Sequence, residues 1–219
     1  MQIVRSNKQM NGRFMRQIAL GILLSSGVGL SIGIDGLNTY LFVSIGLALA
    51  LFSFGLELDR VPEVAITCHE SGLIFHHKHG NINIGYENIV RVGVPTTYHP
   101  QQRLSLGYVG IKLRDPEKLY EILPLRLASR LLLEQKDLQI SAGKEHCSTG
   151  RCDIDTLVDQ IEWRSPSGIV YTGVIGMFAN RSEVLNRELG FHFYISEQAV
   201  DISVDKVVDV IRSEWQKVR

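Results

Sequence analysis

The sequence has no excess of either charge. Its 219 residues include 23 Lys and Arg and 23 Asp and Glu, so the formal net charge is zero at neutral pH. Proteins that bind the phosphate backbone of a nucleic acid usually carry clustered positive charge. The balance argues against this class of function, and we expect no nucleic-acid partner.

Several short catalytic motifs are also missing. The sequence contains no H-E-x-x-H zinc motif, no phosphate-binding P-loop and no G-x-G-x-x-G dinucleotide motif. Each of these motifs carries a defined chemistry, from metal-assisted hydrolysis to phosphate binding. We therefore assign no catalytic residue and no cofactor, and the sequence favours a protein without enzymatic activity.

Cysteine is scarce, with three residues in the chain. The stretch "HCSTGRC" brings together His146, Cys147 and Cys152, with four residues between the two cysteines. That spacing is at the outer limit for a zinc knuckle and also fits a local disulfide, although a cytoplasmic location would argue against a permanent one. The group is a candidate metal or redox site, and two inert loop cysteines are the alternative.

Charge is absent from two long runs near the N-terminus. Residues 17–34 and 36–56 carry no charged side chain, and Asp35 alone separates them. Helices of these lengths reach roughly 27 and 31 Å, close to the ~30 Å hydrocarbon core of a bilayer. The pattern predicts a transmembrane helical hairpin over residues 17–57, in contact with the lipid bilayer. A buried helical pair of a soluble protein and a cleaved signal peptide are the alternatives.

Positive charge lies on one side of this predicted hairpin. Arg5, Lys8, Arg13 and Arg16 precede the first apolar run, and the turn after it has no Lys or Arg. The positive-inside rule therefore puts the N-terminus in the cytoplasm, and a second span returns the chain there. We predict a protein of the bacterial inner (cell) membrane with two spans and both termini cytoplasmic.

Small residues recur every four positions along the first run: Gly21, Ser25, Gly29 and Gly33. Such a stripe lets another helix approach closely. Packing inside the hairpin, against Gly46 and Ala50, is one interpretation. Self-association, or docking on another membrane protein, is the other.

Beyond Pro62 the sequence predicts an antiparallel meander followed by helices. Alternation and turn residues indicate strands over 63–68, 73–79, 82–94 and 108–115, with a long loop over 95–107. Helical periodicity indicates helices over 123–135, 153–163, 180–189 and 203–218, with a strand over 191–196. The last helix has one apolar stripe: Val204, Val207, Val208, Ile211 and Trp215.

Four histidines lie close together in "HESGLIFHHKHG", residues 69–80. Side chains alternate on a strand, so His77 and His79 share a face and could reach one metal ion. A site would need a third ligand, such as His69 or Cys68. The alternative, which we favour, is a half-polar strand of a β-hairpin.

The run "GLIFHHKHGNINIGYENIVRV" resembles bacterial PH-like modules. The wider chain resembles an uncharacterised proteobacterial family of two-span inner-membrane proteins, through "YENIVRV", "YVGIKLRD", "LRLASRLLLEQ", "RSPSG", "GMFANR" and "LGFHFYIS". The resemblance implies a PH-like cytoplasmic domain at the membrane. It implies no activity, because the family is a domain of unknown function.

The expected fold class is therefore α+β, divided into four parts. Residues 1–16 are a cytoplasmic tail, 17–57 the transmembrane hairpin, 62–141 a PH-like β-rich domain and 142–219 an α-rich extension ending in an amphipathic helix. The strands and helices after the hairpin should fold without it, because they can bury their own apolar faces.

The expected function is a membrane-anchored binding or scaffold module with a protein partner. The alternative is a metal-binding or redox-active membrane protein that uses His77 and His79, or Cys147 and Cys152.

Overall fold

The computed structural model describes residues 2–7, 12–32, 38–99, 102–147 and 160–218. The chain forms two compact units: residues 8–63 make one, and residues 1–7 together with 64–219 make the other. The first few residues thus belong to the larger unit. The helical segment 8–63 is an insertion between the first strand of that unit and the rest of it.

The elements are numbered in chain order. The strands are β1 (Gln2–Arg5), β2 (Val64–Cys68), β3 (Gly72–His77), β4 (Gly80–Gly85), β5 (Ile89–Gly93), β6 (Thr96–His99), β7 (Gln102–Ser105), β8 (Tyr108–Leu113), β9 (Glu162–Arg164), β10 (Val170–Thr172) and β11 (Phe193–Ser196). The helices are α1 (Gly12–Ile32), α2 (Asn38–Asp59), α3 (Glu117–Ile122), α4 (Leu125–Glu134), α5 (Lys136–Cys147), α6 (Gly173–Leu189) and α7 (Val204–Lys217).

Helices α1 and α2 pack against each other in antiparallel fashion. At one end their backbones nearly touch, since a methyl group on Gly12 would lie 2.5 Å from the carbonyl oxygen of Gly55. Near the same end Arg16 Nη2 lies 2.6 Å from Asp59 Oδ2. Glycine at both positions removes the Cβ atoms that would keep the helices apart.

The middle of this helical pair is joined by small side chains. Ser26 and Ser44 hydroxyls are 2.6 Å apart, and Ala19 and Ala48 are fully buried. The outer faces carry large exposed apolar side chains: Phe14, Ile18, Leu20, Leu24, Val28, Phe42, Val43, Leu47, Leu49, Phe54 and Leu56. Within the described residues, one helix, Thr39–Asp59, is long and apolar enough to cross a membrane, with a mean hydropathy of 2.1. The predicted turn at Asp35 lies outside the described residues.

Strand β1 is the main difference from the sequence-based expectation for residues 1–16. It pairs antiparallel with β2, with Ile3 opposite Thr67 and Val4 opposite Ile66. It forms the edge of a four-stranded sheet with the order β1-β2-β3-β4. The segment was expected to be a tail, because four residues are too few to show a periodicity. Burial of Val4 in the core, with 2% of its surface exposed, stabilises the strand.

The second main sheet has the order β11-β8-β5. Strand β8 buries Val109, Ile111 and Leu113. The alternation predicted for residues 191–196 is wrong in β11, since Phe193, Tyr194 and Ile195 are all buried. The predicted long loop 95–107 contains the β6–β7 hairpin. Helix α7 contacts β1, β5 and β8, and it closes the core.

The apolar stripe of α7 was predicted correctly in its main part. Val204, Val207, Val208 and Ile211 are buried, and the half-buried Trp215 packs against the same core. The backbone of α7 begins after Ser203, whose side chain makes no capping hydrogen bond. Helix α6 ends at Gly190, which has a left-handed backbone with φ of 82° that favours glycine.

The structure corrects one further prediction. The helix expected over 153–163 is contradicted at its end, since Glu162–Arg164 is strand β9 paired with β10, and Ile161 is 66% exposed rather than buried. Cross-strand pairing and aromatic packing of Trp163 on Tyr120 outweigh the helical periodicity. The remainder of that predicted helix, up to residue 159, lies outside the described residues.

The α-rich extension expected over 142–219 shares its core with the sheet domain. One core joins side chains from β1 to β5 with others from β8, α3, α4, α6, β11 and α7. A smaller cluster links α5 to α6 and β11. The helical extension is therefore integral to the sheet domain, because β11 and α7 complete that domain.

Candidate binding site

His77 and His79 lie where β3 turns into β4, next to helix α4. Their rings are 5.3 Å apart between centroids, and His77 Nε2 is 3.6 Å from Glu134 Oε1. Arg130 Nε donates to the same Glu134 oxygen at 2.8 Å. Burial alone would raise the pKa of Glu134, but the nearby His77 ring and the hydrogen bond from Arg130 outweigh it, so the pKa of Glu134 is lowered. The group is a small ion-pair network that ties α4 to the hairpin.

The structure gives the histidine pair a neighbour that the sequence did not reveal. The expected third ligands are elsewhere: Cys68 is fully buried opposite Leu73, and His69 lies in the β2–β3 turn. Glu134 is near instead, but its carboxylate is held by Arg130. In the part of the chain that the structure describes, no three His, Cys, Asp or Glu side chains converge in an arrangement suited to a metal ion.

The second candidate cluster is only partly described. His146 and Cys147 are the last residues of α5, and Cys152 lies outside the described residues. The remaining cysteine, Cys68, is in the core, where burial raises the pKa of its thiol. The metal or redox prediction for His146, Cys147 and Cys152 thus stays a prediction.

A pocket of about 380 Å³ lies between the last turn of α7 and the turns at one end of the sheets. This is near the lower limit of the roughly 300–1,000 Å³ typical of ligand sites. The lining residues come from four separate segments: Ser71, Tyr86, Glu87, Ile89, Arg114, Trp215 and Val218.

Backbone hydrogen bonds fix the pocket wall. Tyr86 N donates to Ser71 O at 3.1 Å, and Arg114 N donates to Asn88 O at 2.8 Å. The Asn88 side chain, which is buried, donates to Asp115 O and accepts from Asp115 N, both at 2.8 Å. These bonds join the 3-10 turn Tyr86–Asn88 to the end of β8, so the pocket is preformed rather than assembled from free loops.

The pocket holds two opposite charges. The side chains of Glu87 and Arg114 are exposed, and neither forms an ion pair with another described residue. The Glu87 carboxylate folds back over Gly85, since a methyl group there would lie 2.2 Å from Glu87 Oε1. The apolar part of the wall includes Tyr86, Ile89 and Trp215.

Among the groups with strongly shifted pKa values, Tyr86 lines the pocket, where burial raises the pKa of its hydroxyl, and the others lie elsewhere in the core. Burial raises the pKa of the Tyr120 and Tyr194 hydroxyls and lowers the pKa of His192 to about 4. His192 Nδ1 accepts a hydrogen bond from Leu113 N at 3.1 Å, which holds the ring between β8 and β11. Its other nitrogen is 4.0 Å from Glu183, whose pKa is raised by burial. We interpret these groups as structural, since burial in a packed core explains each shift.

The small-residue stripe of the first helix does not face α2 where it is described. A methyl group on Gly21 would meet no atom within 4 Å, and Ser25 is exposed. Gly46 of α2 is equally open. Packing inside the helical pair instead uses residues seven apart: Gly12, Ala19 and Ser26. Gly21 and Ser25 therefore lie on an outer face, and Gly33 lies outside the described residues.

The family comparison gives a direct assignment. A family model described as "Protein of unknown function (DUF2982)" matches residues 66–217. The chain belongs to this family. The matched segment begins inside β2 and ends at the last residue of α7, so it spans the larger unit without β1. No curated protein and no solved structure match the chain. The DUF2982 assignment carries no activity.

Proposed function

We propose that this DUF2982 protein is an integral membrane protein in which α1 and α2 are two spans that hold a binding module on one side of the membrane. The observation that carries the proposal is the pairing of β1 with β2. These strands lie immediately before and after the helical pair, and they belong to one sheet.

The argument is topological. Two strands that exchange backbone hydrogen bonds are neighbours in one sheet. An open sheet cannot lie inside the bilayer, because its edge strands would leave backbone groups without hydrogen bonds. Both strands must therefore lie on the same side of the membrane. The chain between them therefore crosses the bilayer an even number of times. In this proposal α2, which is long and apolar enough, crosses the bilayer, and the even number of crossings then requires α1 to cross as well. One span alone is incompatible with the sheet.

The character of α1 supports this role. Its residues beyond Arg16, 17–32, carry no charge and reach about 24 Å at 1.5 Å per residue, most of the ~30 Å hydrocarbon core. Its exposed side chains include Phe14, Leu20 and Leu24, which would face lipid. The charged Arg16 lies near the helix end and is paired with Asp59, as expected for charges at the edge of a bilayer.

The charge pattern supports the cytoplasmic side of a bacterial inner membrane for both chain ends. Arg5, Lys8, Arg13 and Arg16 flank α1, and Arg60 follows α2 on the same side of the pair. Short basic segments of this kind remain in the cytoplasm.

A PH-like fold is the finer structural proposal for the module. Two antiparallel sheets, β1-β2-β3-β4 and β11-β8-β5, share a core that the C-terminal helix α7 closes. In this interpretation the spans are inserted after the first strand, and α3 to α6 are inserted before the last one.

Recognition is a better proposal than catalysis because burial accounts for the strongly displaced pKa values, that of Tyr86 in the pocket wall included, whereas the preformed pocket presents charges for binding. We take a protein as the partner of the module. Self-association through Gly21, Ser25, Gly29 and Gly33 is a further part of this proposal, supported by the outward position of Gly21 and Ser25.

Alkaline carbonate extraction tests the anchor. The full chain should stay in the membrane pellet, and release into the supernatant would contradict the two spans. Photo-cross-linking then tests self-association. A cross-linking residue at Gly21 should capture a second copy, and one at Leu20, on another part of the helix surface, is the control. Equal capture at both positions would contradict an interface at the stripe.

A further inference from the structure

The pocket formed by Ser71, Tyr86, Glu87, Ile89, Arg114, Trp215 and Val218 has a charge pattern that restricts its ligand. A guanidinium and a carboxylate are presented in one small cavity, and neither has an ion-pair partner among the described residues. A ligand with a single charge would satisfy one of them and be repelled by the other. A neutral ligand would leave both without a partner.

We infer that this pocket binds a free α-amino acid with an apolar side chain. The ligand carboxylate would accept hydrogen bonds from Arg114, whose planar guanidinium suits a carboxylate in two-point contact. The ligand ammonium would donate to Glu87. The ligand side chain would lie against Trp215 and Val218, the apolar lining residues that have exposed surface. Such a zwitterion matches both charges at once and has no net charge.

The geometry of the wall favours a ligand that is bound without rearrangement. The hydrogen bonds of Asn88 hold the segments that carry Glu87 and Arg114 at fixed positions. Preorganisation of this kind reduces the entropy cost of binding.

This inference goes beyond the proposed anchor and is independent of it. The pocket lies wholly in the larger unit, so a failed extraction test would leave the ligand test intact, and the reverse holds. With both proposals, the protein would be a membrane-held module that responds to amino-acid concentration.

Intrinsic fluorescence of the full chain in detergent provides the measurement. The chain has two tryptophans, Trp163 and Trp215, and Trp215 lines the pocket. The substitution Trp163→Phe leaves Trp215 as the reporter and keeps an aromatic ring beside Tyr120. Titration with L-leucine, which does not fluoresce, should give a saturable change.

Two leucine derivatives separate the charges. Leucinamide lacks the carboxylate, and N-acetyl-leucine lacks the ammonium. Each should bind at least about tenfold more weakly than leucine, since a charge-assisted hydrogen bond is lost in each case. The variants Arg114→Gln and Glu87→Gln should weaken leucine binding by about the same factor. Arg126→Gln and Glu121→Gln, on exposed positions of α4 and α3, are the matched controls and should leave it unchanged.

Several results would overturn the inference. One is the absence of a saturable change with leucine. Another is equal binding of leucine, leucinamide and N-acetyl-leucine, or unchanged affinity in both pocket variants. Tighter binding of phosphoethanolamine than of leucine would assign the pocket to a lipid headgroup instead. A thermal melt of each variant shows that a loss of binding is not a loss of fold.

Discussion

Strand β1 should stabilise the sheet domain through one buried side chain, and the substitution Val4→Ala tests this. Val4 is 2% exposed and lies opposite the fully buried Ile66. Removing two buried carbon atoms costs about 0.8 kcal/mol each, and incomplete collapse of the cavity adds to this. We expect the free energy of unfolding to fall by about 2 kcal/mol. For a domain of this size, that corresponds to a melting temperature lower by about 4–8 °C.

The same strand offers a matched control. Ile3 is adjacent to Val4 but points to the other face, and it is 52% exposed. Ile3→Ala should change the free energy of unfolding by less than about 0.5 kcal/mol. Both substitutions shorten an apolar side chain on β1, so a difference between them reports burial rather than β propensity.

Urea unfolding of a linked domain is the appropriate assay. In this variant a flexible Gly-Ser linker replaces residues 8–61, so that β1 stays joined to β2 without the helical pair. A fragment beginning at residue 62 lacks β1 altogether. It should be less stable than the linked domain, because it exposes the edge of β2 and the core position of Val4. Equal effects of Val4→Ala and Ile3→Ala, or a fragment as stable as the linked domain, would refute the role of β1.

Three further predictions concern the core and the histidine cluster. Ile211→Ala should lower the free energy of unfolding of the linked domain by about 2–5 kcal/mol, because Ile211 is fully buried. Trp215→Ala should lower it by less, because Trp215 is half-buried. Paired urea melts of the two variants give the comparison. The pKa of His192 is about 4 in the fold and about 6.5 when unfolded, so its stabilising contribution is complete above pH 6.5 and is lost as the pH falls toward 4. Urea melts at pH 7 and 5 should differ by about 2 kcal/mol from this cause, and His192→Gln should reduce the difference. Arg130 holds the Glu134 carboxylate, so Glu134 should not serve as a third zinc ligand beside His77 and His79. The purified protein should therefore carry no stoichiometric zinc, and a chelator should not change its melting temperature. Elemental analysis that finds one zinc per chain would contradict this.

The sequence predicts those elements whose signal is local and repeated. The stripe of α7 extends over four turns, and its members are buried because each repeat brings the same face to the core. The strands β3 and β8 alternate over six residues each, which is enough to define a buried face.

Elements that depend on distant partners were missed. Strand β1 has four residues and owes its conformation to β2, from which it is separated by the whole helical pair. Strand β9 lies in a segment with helical periodicity, and its pairing with β10 and the packing of Trp163 decide its structure. Short segments carry weak local preferences, so tertiary contacts override them.

The candidate sites show the same limit. The sequence identified His77 and His79 on one face but could not bring Glu134 to them, because that contact crosses from β3 to α4. The pocket draws Glu87, Arg114 and Trp215 from three separate segments. In the sequence, the only local sign of this pocket is a charged residue at a turn next to a predicted strand end. Such charged residues are common on any protein surface.

Topology mapping tests the central claim most directly. A reporter that fluoresces only in the cytoplasm is fused before Met1 or after Arg219, and a reporter that is active only outside the cytoplasm is inserted after Gly36. The pairing of β1 with β2 and the positive flanks of α1 predict fluorescence at both chain ends and activity at Gly36. Chain ends on opposite sides of the membrane would contradict the account, because the sheet that joins β1 to β2 could not then form.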